Sequence, residues 1–338
     1  MKIIFKYLIM TMLGGLIFTS LKSQEEIEMV LKPIQITLLP PIGTNGFESK
    51  GCVNKISLNI LWGVNGGLEG AEFAGIANFE REFVVGAQFA GFGNFIKGSL
   101  NGLSCAGFMN VSGSVDGAQV AHFINIARKV HGAQVSNFMN VAGTVKGVQV
   151  GFINIADNYE SGAPIGIINI VKNGYHEWEV SSSELWSLNV GYRMGVDKFY
   201  TQFMVGGNWR EDHNFLGLGF GIGSRFPITR RYLKGSVDLI SYQIFNPSDD
   251  RMMNPRMGGP MRPHQRPKVV EQARLTIDGK ILGHVRWFLG PTLNLFVEPY
   301  NYPEVDQPGP VSTRMLYSRT SGVNSVKLWP GFSGGIRF

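Results

Sequence analysis

Three successive stretches, GAQVAHFINIA (117–127), GAQVSNFMNVA (132–142) and GVQVGFINIA (147–156), carry the reading of this chain. Each opens on Gly, places Gln two residues later and sets an Asn near its end. Working outward, seven such units begin at Gly70, Gly86, Gly102, Gly117, Gly132, Gly147 and Gly162, at intervals of 16, 16, 15, 15, 15 and 15 residues. The residue two after the Gly is Glu72, Gln88, Ser104, Gln119, Gln134 or Gln149, with Pro164 the exception. The Asn recurs as Asn78, Asn94, Asn110, Asn125, Asn140, Asn154 and Asn169. Self-similarity at a fixed period marks a repeat architecture.

Charge collects between the copies, at Arg128-Lys129, Lys146 and Asp157 to Glu160. One polar turn per unit leaves about 11 residues of mostly apolar segment, the length of a membrane-crossing β-strand. Within 117–127 one alternation holds Gln119, Ala121, Phe123 and Asn125, and the other holds Ala118, Val120, His122, Ile124 and Ile126. Amides on one face and aliphatics on the other suit a wet lumen and a lipid exterior. The same parity sends Phe92, Phe108, Phe123 and Phe138 inward, where they would narrow the lumen. An alternative follows from the mid-unit residues Gly75, Gly91, Gly107, His122, Asn137, Gly151 and Gly166, types that tolerate positive φ. A turn there makes each unit one coil of a β-solenoid with Asn ladders at its corners. A soluble solenoid should carry charge on its outer faces, so one barrel strand per unit is the primary expectation.

From Leu185 onward the period is two. Residues 273–281 set Ala273, Leu275, Ile277 and Ile281 against Arg274, Thr276, Asp278 and Lys280, and residues 284–298 and 187–196 behave alike. Connections counted back from Phe338 alternate long and short, with the longest at 246–269 and 300–325. Long loops on one side and short turns on the other are the habit of outer-membrane barrels. Two strands before the repeats and one per repeat bring the total to about sixteen. The expected fold is therefore an all-β, transmembrane antiparallel β-barrel over residues 24–338, with the repeats at 70–173. The alternative is a β-solenoid mounted on a smaller barrel. Sixteen strands leave room for an aqueous channel. Its lining would be Asn189, Arg193, Gln202, Lys234, Asp238, Arg274, Asp278, Lys280, Arg286 and Asn294, together with the repeat amides Gln88, Gln119, Gln134, Gln149, Asn94, Asn110, Asn125, Asn140, Asn154 and Asn169.

The composition agrees with an exported membrane barrel. Charged residues are 17% and mean hydropathy is +0.03, with 44 Gly in 338 residues. Residues 1–23 read as a secretory signal peptide, with Lys2 and Lys6 before an apolar run and small residues at its exit. Removing it takes the net charge from +6 to about +3, too mild to point to nucleic acid. Cys52 and Cys105 are too few for a disulfide framework. His176-Glu177-Trp178-Glu179 lacks the second His of a zinc-protease helix, and no Gly-x-Ser-x-Gly elbow occurs. The run GLGFGIGS (217–224) lacks the Lys-Ser/Thr of a phosphate loop; its Gly217, Gly219, Gly221 and Gly223 share one parity and suggest a bare inner wall. No catalytic residue, cofactor or metal is expected.

The final strand ends SGGIRF (333–338), and its terminal Phe338 resembles the assembly signal of Gram-negative outer-membrane barrels. The Gly-x-Gln…Asn units resemble a family of bacterial surface-repeat proteins over roughly residues 60–170, with the barrel-like tail from about 185 to 338. The resemblance implies an outer-membrane surface protein with a structural, docking or passive-passage role, in contact with the lipid bilayer, lipopolysaccharide and the assembly machinery that reads the last strand. The alternative architecture implies a surface-exposed binding protein anchored by its barrel. Such families bring no catalytic residues to carry over.

Overall fold

The computed structural model describes residues 29–210, 213–229, 233–245, 268–299, 315–321 and 324–338. The leader at 1–23 and most of the two long connections (246–267 and 300–314) lie outside them. Among the described residues the regular elements are strands, apart from one 3-10 helix at Gly46–Gly51.

The first sheet runs through β1 (Val30–Leu39), β2 (Ile42–Gly43), β3 (Cys52–Asn59), β4 (Trp62–Ala74), β5 (Ala77–Ala90), β6 (Gly93–Ala106), β7 (Met109–Ala121), β8 (Ile124–Ser136), β9 (Met139–Val150), β10 (Ile153–Ile165) and β11 (Ile168–Val171). From β3 to β11 every strand pairs with the next in parallel. Successive strands joined by a bend of only two residues can be parallel neighbours only if the chain winds around an axis. This region is therefore a β-solenoid with one repeat per coil. The register follows the repeat: Gly102, Gly117, Gly132 and Gly147 stack, and so do Asn110, Asn125 and Asn140.

Each coil turns at its opening Gly and again at the two residues before the next strand, such as Gly91-Phe92 and His122-Phe123. The opening glycines hold φ between 93° and 148°, and a Cβ on Gly117 would stand 2.1 Å from the carbonyl oxygen of Gly102. Only Gly fits that conformation and that approach.

The second sheet holds β12 (Tyr175–Ser183), β13 (Leu188–Val196), β14 (Phe199–Arg210), β15 (His213–Pro227), β16 (Leu233–Phe245), β17 (Lys268–Leu282), β18 (Val285–Pro299), β19 (Tyr317–Ser321) and β20 (Asn324–Arg337). Consecutive hairpins link β12 to β18, β18 pairs with β20, and β20 returns to β12 from Glu179↔Arg337 to Ser183↔Ser333. The result is a closed antiparallel barrel of eight strands, with β19 riding on β20. This corrects the expectation of sixteen: the repeats do not join the wall, because they pair in parallel with one another. Strands β19 and β20 also occupy part of the connection read at 300–325.

The last coil sits on the barrel end that carries the short turns. Strand β11 contacts β13, the His176 ring hydrogen-bonds the Val171 carbonyl, and Asn169 Nδ2 lies 3.5 Å from Thr201 Oγ1 on β14.

Candidate functional site

The repeat amides line the solenoid interior, where Gln88, Gln119, Gln134, Gln149 and the seven repeat Asn residues are all 0% exposed. They are not the lining of an aqueous channel, as the sequence had suggested. Their neighbours are the aliphatic stack Leu68, Val84, Leu100, Val115, Val130 and Val145. A buried amide must find partners, and a parallel coil supplies them from its own copies. Asn94 Nδ2 donates to Asn110 Oδ1 at 3.0 Å, Asn110 to Asn125 at 2.9 Å, and Asn125 to Asn140 at 3.0 Å. The remaining N–H of each reaches a backbone carbonyl, as from Asn110 to Val120 at 2.8 Å. Gln134 and Gln149 form a second ladder, donating to Gln119 and Gln134 at 2.8 Å. Pro164 breaks that ladder, and the Tyr159 hydroxyl donates to Gln149 Oε1 at 2.6 Å in place of the missing amide. Burial pushes the Tyr159 hydroxyl pKa well up.

The barrel interior holds two packed layers. Near the short turns Glu179 meets three guanidinium groups: Arg193 at 2.8 Å, Arg274 at 2.6 Å and Arg337 at 3.0 Å. Asp238 bridges Arg193 and Arg274 at 2.9 and 3.0 Å and accepts from Tyr200 Oη at 2.6 Å. Asp278 holds Arg225 and Arg286 at 2.6 and 2.5 Å, and Arg337 lies 3.9 Å from the Phe288 ring centroid. Nearer the long connections, the β12–β13 turn folds inward. Its Leu185 and Trp186 are 1% exposed and pack with Phe215, Tyr242, Phe296 and Trp329. Glu184 pins this turn, accepting from Thr292 Oγ1 and the Phe332 N–H at 2.7 Å. Gly206 and Gly217 are bare because Trp186 needs the room: a Cβ on either would stand 2.3 or 2.2 Å from its ring. The glycine wall read in 217–224 thus accommodates large side chains: Trp186 at Gly217, Tyr242 at Gly219, Tyr200 at Gly223.

Seven residues of the expected lining lie in this interior, 3% exposed or less: Asn189, Arg193, Gln202, Asp238, Arg274, Asp278 and Asn294. Arg286 is partly buried against Asp278, Lys234 sits at the rim with Asp197 at 2.8 Å, and Lys280 is exposed. The surroundings differ from the expected wet lumen, because eight strands enclose only enough space for side chains. Sequence reading missed Glu177, Glu179, Arg225 and Arg337. The signal for the first two was present: Tyr175, Glu177, Glu179 and Ser181 alternate with His176, Trp178 and Val180.

The outer surfaces are apolar. Around the barrel wall Val237, Leu239, Leu275, Ile277, Leu289 and Leu293 are 42–56% exposed. On the solenoid the residue three after each Gly faces out as Phe73, Phe89, Cys105, Val120, Val135, Val150 or Ile165. Phe92, Phe108, Phe123 and Phe138, expected inside, form with Phe152 an outward ridge 37–45% exposed, with successive centroids 5.0, 4.8, 4.8 and 6.5 Å apart. At each Gly91-Phe92 type of bend two consecutive residues, such as His122 and Phe123, face out, so the Phe leaves the interior that the Gln before it and the Asn after it both keep. Beyond it, Ala77, Phe95, Met109, Ile124, Ile126 and Val141 pack as a buried apolar cluster, 3–7% exposed. Charge is confined to the remaining side, at Arg81, Glu82, Lys97, Asp116, Arg128, Lys129 and Lys146. A shallow trough of about 520 Å³ crosses Phe89, Ala90, Gly91, Ala106, Gly107 and Val120 and reaches His122 and Asn137, whose side chains hydrogen-bond at 3.0 Å.

Among the described residues no group of three His, Cys, Asp or Glu side chains converges as a metal site, and Cys52 and Cys105 are both free thiols. No family model, curated protein or solved structure matches this chain.

Proposed function

We propose that the chain is a non-catalytic outer-membrane protein whose eight-stranded barrel is a lipid-embedded anchor and whose solenoid is the structural or docking element it carries. The observation behind this reading is the inverted polarity of the barrel: an ionic and aromatic interior inside a wall of exposed aliphatics. In water such a wall would be an association hazard; in lipid it is the stable arrangement.

The dimensions agree. On β17 the outward residues from Ala273 to Ile281 are Ala, Leu, Ile, Gly and Ile. That stretch is roughly 27 Å along the strand, or roughly 21 Å of membrane thickness at the usual tilt of roughly 40°. Polar pairs flank the band, Ser241 with Glu271 at 2.7 Å toward the long connections and Lys234 with Asp197 at 2.8 Å toward the short turns. Trp178 and Tyr192, with ring centroids 4.9 Å apart, stand outside the wall near the short-turn end, where an aromatic girdle belongs.

Short turns of outer-membrane barrels face the periplasm, so the solenoid on that end would lie on the periplasmic side, in place of the exterior position of an adhesin. The packed interior speaks against passive passage of solutes. Membrane fractionation with heat-modifiable gel migration tests the anchor: a barrel that stays with the outer membrane and shifts on boiling is expected. Soluble, migration-invariant protein would end this reading. Planar-bilayer recordings of the folded protein should be silent.

A further inference from the structure

The solenoid repeats the barrel's inversion, and this asks for a lipid contact of its own. Its core holds amide ladders beside the aliphatic stack, while the exposed third residue of each unit and the Phe ridge form an uncharged outer band. The charges sit together on the opposite side. We infer that the solenoid lies against a phospholipid leaflet, with the ridge Phe92, Phe108, Phe123, Phe138 and Phe152 among the acyl chains and the side bearing Arg128 and Lys129 in water. This goes beyond the anchor role of the barrel and stands on different residues.

Two features favour lipid over another occupant. First, the exposed rows offer almost no hydrogen-bonding side chains, whereas the rim of a protein–protein contact is polar. Second, the surface divides along its length into one apolar and one charged side, as in elements that lie in the plane of a membrane interface. The apolar surface also reaches the barrel: Ile165, Ile167 and Ile170, in the coil that meets β13, are 39–45% exposed.

The test uses the full chain in a Cys52→Ser, Cys105→Val background, bearing either Phe123→Cys or Lys129→Cys. Each is labelled with an environment-sensitive fluorophore and reconstituted into vesicles of phosphatidylethanolamine and phosphatidylglycerol. The label at 123 should be quenched several-fold more by doxyl-labelled lipid than by aqueous iodide, and the label at 129 should show the reverse. Equal iodide quenching at both positions would overturn the inference. So would protection at 123 from both quenchers that fades as protein is diluted into lipid, which would identify a second copy as the cover. Heat-modifiable migration of the same samples reports barrel insertion separately. A shifted band with a wet position 123 rejects the solenoid contact alone, and an unshifted band with a lipid-quenched position 123 rejects the anchor alone. Failure to float with vesicles rejects both.

Discussion

Glu72 and Glu80 face each other inside the solenoid across one amide: Asn65 Nδ2 donates to Oε1 of each, at 2.7 and 2.8 Å. Both are at most 2% exposed. Asn59 and Gln88 add donors to Glu72 at 2.8 and 2.7 Å. Desolvation raises the pKa of both carboxyls, and the neighbouring Glu72 charge pushes Glu80 further up. The folded state therefore binds protons more tightly than the unfolded chain, whose Glu titrates near about 4.3. The stabilisation is fully present below that value and is lost as pH rises through the raised folded values. Thermal unfolding in detergent, followed by circular dichroism, should show the solenoid transition falling as pH rises above the ordinary Glu range. Glu80→Gln should remove most of the slope and raise the midpoint at neutral pH, and an unchanged slope would reject the account.

Glu179 is the hub of the barrel's charge cluster. Glu179→Gln removes the one carboxylate that contacts Arg193, Arg274 and Arg337 together, leaving Asp238 to the first two and Asp278, at 3.6 Å, to the third. Breaking a buried pair from one side costs about 3–5 kcal/mol. The temperature at which the folded band converts on a gel should drop markedly, while Lys234→Gln, at the rim with Asp197, should leave it nearly unchanged.

Gly117→Ala tests the stacked corners. The side chain would meet the Gly102 carbonyl at 2.1 Å with φ at 135°. Residues forced into such backbone regions cost about 1–3 kcal/mol each, and the clash adds to this. Gly283→Ala, also at positive φ but with no neighbour within 4 Å of the added atom, should be milder. Comparing the two unfolding midpoints sets a crowded corner at φ 135° against an open turn at φ 57°.

Deleting residues 132–146 removes one complete coil and brings Gly117 under Gly147. Because each coil contacts only its neighbours, the shortened chain should fold, keep its heat-modifiable barrel and lose only part of the solenoid's stability. Loss of barrel folding on this deletion would mean that the repeats take part in the wall.

The barrel strands were legible because alternation survives wherever one face is packed and the other is not; Ala273 to Ile281 shows it plainly. The count of sixteen failed at the repeats for a physical reason. In an antiparallel wall, successive strands run up and then down, so a repeated Asn would sit at opposite heights on neighbours and never meet its copy. An Asn at one fixed place in every unit is informative only if copies stack in parallel, as Asn110, Asn125 and Asn140 do. Phe123 was placed inside because alternation was carried through His122-Phe123, where the chain bends. The ion cluster was half visible: Asp238 and Arg274 show from parity, but their union with Glu179 and Arg337 depends on the β12–β20 closure, which no local pattern encodes.

The two amide ladders point in opposite directions. Every Asn donates toward the barrel, from Asn59 to Asn78 and on to Asn169, whose final N–H meets Thr201. The Gln ladder donates away from it, from Gln149 to Gln134 to Gln119, and Gln88 does so to Glu72. Aligned amides in one string polarise and strengthen each other, yet a single string would leave a large uncompensated dipole in a medium of low permittivity. The Gln string, interrupted at Ser104 and Pro164, opposes the longer Asn string over the coils from Gln119 to Gln149 and offsets part of its axial dipole there. Only the ends of the Asn string remain to be satisfied, and the barrel supplies one of them.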